Sequence, residues 1–186
     1  MKILLKKITQ LLFLLFVTLG CSTTNKDSAS IFSPSKNIEV NFQLLQDGAP
    51  NYLVKFNEEV LIDNSLMGFD FDKLKPLKNN FKIINIEENT YSEVWEMPWG
   101  ETKEVINNYN ETIITLQNPE IELSTFLIHF KVYDDGVGFR YEFPNQNDLD
   151  SLIILDENTQ FNLTDNHSCW WIPGDWDIYE HLYSAT

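Results

Sequence analysis

The sequence predicts an all-β fold built from antiparallel sheets. Three observations carry that expectation. Apolar residues recur with period two along most of the chain, and Gly- and Pro-containing turn signals separate the runs. Beyond residue 20 no window holds a sustained 3.6-residue apolar period. Many short alternating segments between regular turn signals specify a sandwich, in which each sheet buries one face against the other.

The elements follow in order. Ile38, Val40, Phe42 and Leu44 alternate with Glu39, Asn41 and Gln43, and after Asp47-Gly48 the alternation resumes at Tyr52, Val54 and Phe56. Period two on both sides of a Gly-containing loop predicts a hairpin. A second and clearer hairpin runs through Phe126, Ile128, Phe130 and Val132, turns at Asp134-Asp135-Gly136, and returns through Val137, Phe139, Tyr141 and Phe143, with Arg140 and Glu142 on the opposite face. Shorter strands are expected at 60–62, 66–71, 81–87, 91–95, 105–109, 112–116 and 152–155, punctuated by Pro76, Pro98, Pro119, Pro144 and Pro173. No internal repeat and no boundary interrupts residues 31–186. About 155 residues suffice for one core, which buries roughly two thirds of the unfolded surface.

The first twenty residues read as a leader outside the fold. Lys2, Lys6 and Lys7 form a basic start, and Ile8 to Leu19 is an apolar run too short for a comfortable membrane span. It closes on Leu19-Gly20-Cys21, which resembles the lipobox of bacterial lipoproteins. That implies lipidation at Cys21 and a lipid-anchored location in the bacterial cell envelope. Residues 21–30 are polar and read as a flexible tether. Without the leader the charge is 10 − 28 = −18. A chain this acidic repels nucleic acid and anionic headgroups, leaving neutral ligands and cations as natural partners. With Cys21 lipidated, Cys169 is the other of only two cysteines. No intrachain disulfide is then possible, and Cys169 beside Trp170 is expected to be a small buried apolar residue.

The richest chemistry lies between Cys169 and Tyr183. Trp170, Trp171, Trp176, Tyr179 and Tyr183 surround Asp175, Asp177 and Glu180. Aromatic faces stack on the C–H faces of sugar rings, and carboxylates bind sugar hydroxyls or a hard cation. The competing reading is a core edge followed by an acidic solvated loop. His167 precedes the run within reach of a ligand there. His129 sits in a strand on the face opposite Phe130, where a packed or solvent-facing role is expected. Asp175-x-Asp177 lacks the glycine that an EF-hand loop requires at its sixth position. There is no phosphate-cradling glycine loop and no Cys/His metal spacing.

Three segments then match a family. The run Trp95 to Glu111, with Trp99-Gly100-Glu101, Lys103-Glu104, Asn107 and Tyr109-Asn110-Glu111, resembles a segment of glycoside hydrolase family 97. So do Asp134-Asp135-Gly136-Val137-Gly138-Phe139-Arg140-Tyr141-Glu142-Phe143-Pro144 and the run Trp170-Trp171-Ile172-Pro173-Gly174-Asp175 with Tyr179-Glu180. The sequence departs from the family's pattern at three places: Pro98 sits one place late, while Trp176 and His181, which bear on sugar preference, each replace a tyrosine.

The resemblance implies a galactose mutarotase-like antiparallel β-super-sandwich, incomplete at its C-terminal end. It would belong to a calcium-dependent, exo-acting α-glycosidase acting on α-linked gluco- or galacto-oligosaccharides. The catalytic carboxylates would lie in a (β/α)₈ barrel missing from this chain, so no catalytic residue is expected here and the chain alone is expected to be inactive. Glu180 matches the glutamate that such a domain lends to a Ca²⁺ shell, while Trp170, Trp171, Asp175, Trp176, Asp177 and His167 are the candidates for contacting sugar. Two other classes stay open: a stand-alone carbohydrate-binding lipoprotein, and a mutarotase-like sugar epimerase. The latter needs an acid/base pair facing one sugar, and no two histidines and a glutamate are grouped in the sequence.

Overall fold

The computed structural model describes residues 27–121, 124–146, 151–171 and 184–185. Among them are thirteen strands and no helix. A five-stranded antiparallel sheet has the order β1-β2-β3-β4-β11, formed by Ser28–Phe32, Ile38–Leu44, Pro50–Phe56, Glu59–Leu66 and Asn162–Leu163. A four-stranded antiparallel sheet has the order β6-β7-β8-β9, formed by Lys82–Glu96, Glu104–Gln117, Thr125–Val132 and Val137–Glu142. Two small sheets pair β5 (Phe69–Phe71) with β10 (Ile154–Glu157), and β12 (Trp170–Trp171) with β13 (Ser184–Ala185). The all-β antiparallel expectation is met.

The two large sheets face each other because alternation gives each an apolar side. Ile38, Val40 and Phe42 from β2 and Tyr52 and Val54 from β3 meet Ile114 and Leu116 from β7 and Phe126, Ile128, Phe130 and Val132 from β8 in one buried cluster. The Phe130 ring lies 6.1 Å from Phe42 and 6.3 Å from Tyr52, tilted in both cases, as ring quadrupoles favour. Phe69 of β5 closes one end edge-on against Tyr141 and Phe143, at 4.7 and 5.3 Å.

Both expected hairpins are present. The β2–β3 loop is held by Gly48 N–H donating to Leu45 C=O at 2.8 Å and Leu45 N–H donating to Ala49 C=O at 2.9 Å. Gly48 has φ +75°, and a Cβ there would meet the Phe81 backbone nitrogen at 2.7 Å. The turn between β8 and β9 closes with Tyr133 N–H donating to Gly136 C=O at 2.8 Å.

Three expectations change. The segments 81–87 and 91–95 are one strand, β6, and 105–109 and 112–116 are one strand, β7, paired from Lys82↔Gln117 to Glu96↔Glu104. The expected strand 66–71 is divided, since β4 ends at Leu66 and β5 begins at Phe69. The fold also starts inside the stretch read as a tether: β1 begins at Ser28, pairs with β2, and buries Ala29.

Candidate functional site

The chain reaches the aromatic run along the edge of the five-stranded sheet. Asn162 and Leu163 pair with Asp63 and Ile62 of β4. Thr164 then donates its N–H to Leu61 C=O at 3.2 Å and its hydroxyl to Val60 C=O at 2.9 Å. The next residues turn tightly, with His167 N–H donating to Asp165 C=O at 3.0 Å. His167 is exposed. Cys169 is exposed too, contrary to the buried role expected of it. It lies in a stretch, residues 160–171, in which every residue is exposed.

Trp170 and Trp171 form β12 and are 76% and 45% exposed. Trp170 pairs with Ala185 and Trp171 with Ser184. Successive side chains of a strand leave on opposite faces, so these two indoles line different surfaces. Asp175, Trp176, Asp177 and Glu180, like Cys21, lie outside the described residues. Among the described residues no three His, Cys, Asp or Glu side chains gather to hold a metal ion.

A polar cluster on the outer face of the four-stranded sheet was not foreseen. Period two places Tyr109 and Glu111 of β7, His129 and Lys131 of β8, and Arg140 and Glu142 of β9 on that face, with His129↔Arg140 and Glu111↔Lys131 directly paired. His129 and Glu111 are buried there. His129 Nε2 lies 3.0 Å from Glu142 Oε2 but is not aligned to donate a hydrogen bond to it. Glu142 also receives Arg140 at 3.1 Å, and Glu111 lies 3.9 Å from His129 Nδ1. Lys131 donates to the Tyr109 hydroxyl at 3.0 Å and sits 4.4 Å above its ring. That hydrogen bond raises the Lys131 pKa against the opposing effect of desolvation. Residue alternation in β7 was the available signal for Glu111, but the strand had been divided beside it.

An apolar groove of about 460 Å³ lies between β3–β4 and β9. Tyr52, Val54, Phe56, Leu61, Val137, Phe139 and Phe161 form its walls, with Lys55, Asp134 and Asp135 at its polar margin. It contains no pair of facing carboxylates suited to glycoside hydrolysis.

Comparison with known proteins gives the geometry its context. The family model described as Glycosyl-hydrolase 97 N-terminal matches residues 31–186. The chain belongs to glycoside hydrolase family 97. Its strands superpose on a family 97 enzyme from Pseudoalteromonas sp. strain K8, solved in complex with panose and in complex with acarbose. Each gives a TM-score of 0.74 and 36% identity, covering 85% of this chain and 24% of the enzyme. A β-arabinopyranosidase shares the fold, with a TM-score of 0.67 at 20% identity over 76% of this chain and 22% of that one. The chain thus spans about a quarter of the length of the solved family 97 enzymes.

Proposed function

We propose that this chain is the N-terminal domain of a calcium-dependent, exo-acting α-glycosidase, anchored to the bacterial envelope through lipid on Cys21 and facing the periplasm. The observation that carries the reading is the family match over residues 31–186, joined to relatives of 36% identity solved with panose and acarbose. In this reading the chain contributes by completing a site rather than by cutting a bond. The substrate class is an α-linked gluco- or galacto-oligosaccharide, and the catalytic groups belong to a (β/α)₈ barrel outside this chain.

The donor chemistry of the aromatic run suits the metal. Calcium takes about six to eight oxygen ligands, and Asp175, Asp177 and Glu180 are hard oxygen donors within one short stretch. Glu180 would hold the ion, and the remaining ligands come from outside the described residues. When bound, Ca²⁺ would polarise the leaving glycosidic oxygen or organise the carboxylates. The chain's own part would be to lend Glu180 to the ion and to offer a sugar indole surface from Trp170, Trp171 or Trp176 and polar contacts from His167, Asp175 and Asp177.

The test is a chimera in which residues 31–186 replace the matched quarter of the Pseudoalteromonas enzyme. It is expected to hydrolyse panose. Glu180→Gln, which keeps size and removes charge, should weaken calcium binding at least about tenfold and lower kcat, with added calcium partly restoring the rate. Unchanged calcium affinity in calorimetry together with unchanged kcat would return Glu180 to the solvated surface. Lipidation is read separately: mass spectrometry of the mature protein should show a diacylglyceryl mass on Cys21, and a free thiol there removes the anchor from the proposal.

A further inference from the structure

The β6–β7 hairpin is longer than the sheet it belongs to. β8 pairs with β7 only between Asn110↔Val132 and Gln117↔Thr125, whereas β6 pairs with β7 out to Glu96↔Glu104. The six pairs from Tyr91↔Tyr109 to Glu96↔Glu104 therefore run on as a two-stranded ribbon about 20 Å long. Every residue from 87 to 104 is exposed. A bare two-stranded ribbon is marginal in water, and a soluble one is expected to be polar on both faces. This one carries Trp95 on one face and Val94 with Ile106 on the other, at 43%, 60% and 72% exposure, and its tip adds Met97 at 41% and Trp99 at 81%.

Apolar side chains on both faces of a protruding ribbon fit insertion between walls rather than contact with a flat surface. The charges narrow the partner. Glu93, Glu96, Glu101 and Glu104 surround these residues with Lys103 as the one cation of the distal arm, and Lys103 is already 3.7 Å from Glu96. The arm is acidic on an acidic chain of net charge −15. Two copies repel each other, and an anionic bilayer repels the arm.

We propose that the distal β6–β7 ribbon is a docking arm. Its occupant is an apolar cleft bordered by lysine or arginine side chains in the remainder of a family 97 polypeptide, the portion outside the 24% that this chain matches. Trp95 and Trp99 are its anchors, since buried indoles dominate such contacts, and the glutamates set its orientation. This rests on the proposed function for the identity of the partner, but not for calcium or for Glu180.

Three measurements test it. In the chain alone Trp99→Ser should leave Tm unchanged, because the indole touches little. A clear fall in Tm means the tip is packed within the domain and overturns the proposal. Sedimentation of the chain alone should show a monomer. A dimer that disappears in Trp99→Ser assigns the tip to a second copy and likewise overturns it. In the chimera Trp95 and Trp99 should oxidise about tenfold more slowly than in the chain alone, as read by peptide mapping, and Trp99→Ser should lower the chimera's Tm. Equal oxidation rates in the two contexts overturn the docking arm. Loss of panose hydrolysis with indole protection intact removes the proposed activity and leaves the arm standing. Hydrolysis without protection does the reverse.

Discussion

Tyr52 stands where the two sheets meet, its ring against Phe130 and Phe139 and its hydroxyl donating to Gln160 C=O at 2.7 Å. Burial pushes its pKa from 10.0 up to about 12, with a Ser65 hydrogen bond pulling the other way. A raised folded-state pKa gives stability that is fully present below the unfolded value and is lost as pH rises through the folded one. Tyr52 therefore contributes to alkaline unfolding between pH 10.0 and about 12. Tyr52→Phe should cost about 1 kcal/mol at neutral pH through the lost hydrogen bond. It should also flatten the alkaline limb of a Tm-against-pH curve; an identical limb would mean that the hydroxyl is already ionisable in the fold. Asp134 behaves in the opposite sense. Ser35 N–H donates to its carboxylate at 2.8 Å and, with the Ser35 and Ser33 side chains, holds its pKa below the usual carboxylate range. That stability is present above the unfolded value and is lost as pH falls through the folded one. Asp134→Asn should lower Tm at pH 7 and lose its effect in acid. A deficit that persists at low pH would place the role in the shape of the turn rather than in its charge.

At the scale of the element, legibility followed burial. The strands β2, β3, β8 and β9 were readable because each has one face in the core, so apolar and polar residues alternate without interruption. β6 and β7 were divided because their outer halves leave the sandwich, and Tyr91–Glu96 alternates between two solvated faces that impose no pattern. β1 was hidden because Ser28, Ala29 and Ser30 are small, although Ala29 is 3% exposed. β11, β12 and β13 have two residues each, too few for any period. The candidate site was legible as composition, in its indoles and carboxylates. It was not legible as shape, because the opposite facing of Trp170 and Trp171 needs the strand pairing. Where alternation and packing agree, truncation should be costly. Phe130 is fully buried among Phe42, Tyr52 and Phe139, and Phe130→Ala should destabilise by about 3–5 kcal/mol in urea unfolding. Gly48→Ala forces a left-handed residue against the Phe81 backbone and should cost about 1–3 kcal/mol. A neutral result there would show that the β2–β3 loop rearranges freely.

For the whole molecule, charge and apolar surface act against each other. Beside the groove between β3–β4 and β9, Phe56, Leu61 and Phe161 are 48%, 37% and 59% exposed, and contiguous apolar surface of this kind favours association. Among the described residues β9 is an edge of its sheet, and an unpaired edge is a template for another strand. The formal net charge of −15 opposes both, because copies repel at distances within the Debye length. Two consequences separate the terms. At neutral pH and low salt the chain should stay dispersed yet bind a hydrophobic dye in the groove, and Leu61→Asp should abolish much of that binding without unfolding the protein. As pH falls toward the sequence isoelectric point of about 4.4, repulsion vanishes while the groove persists, so light scattering should rise before circular dichroism reports any loss of strand. Scattering that appears only after strand signal is lost would mean that the groove and the β9 edge are harmless in the folded chain, and that association belongs to the unfolded state instead.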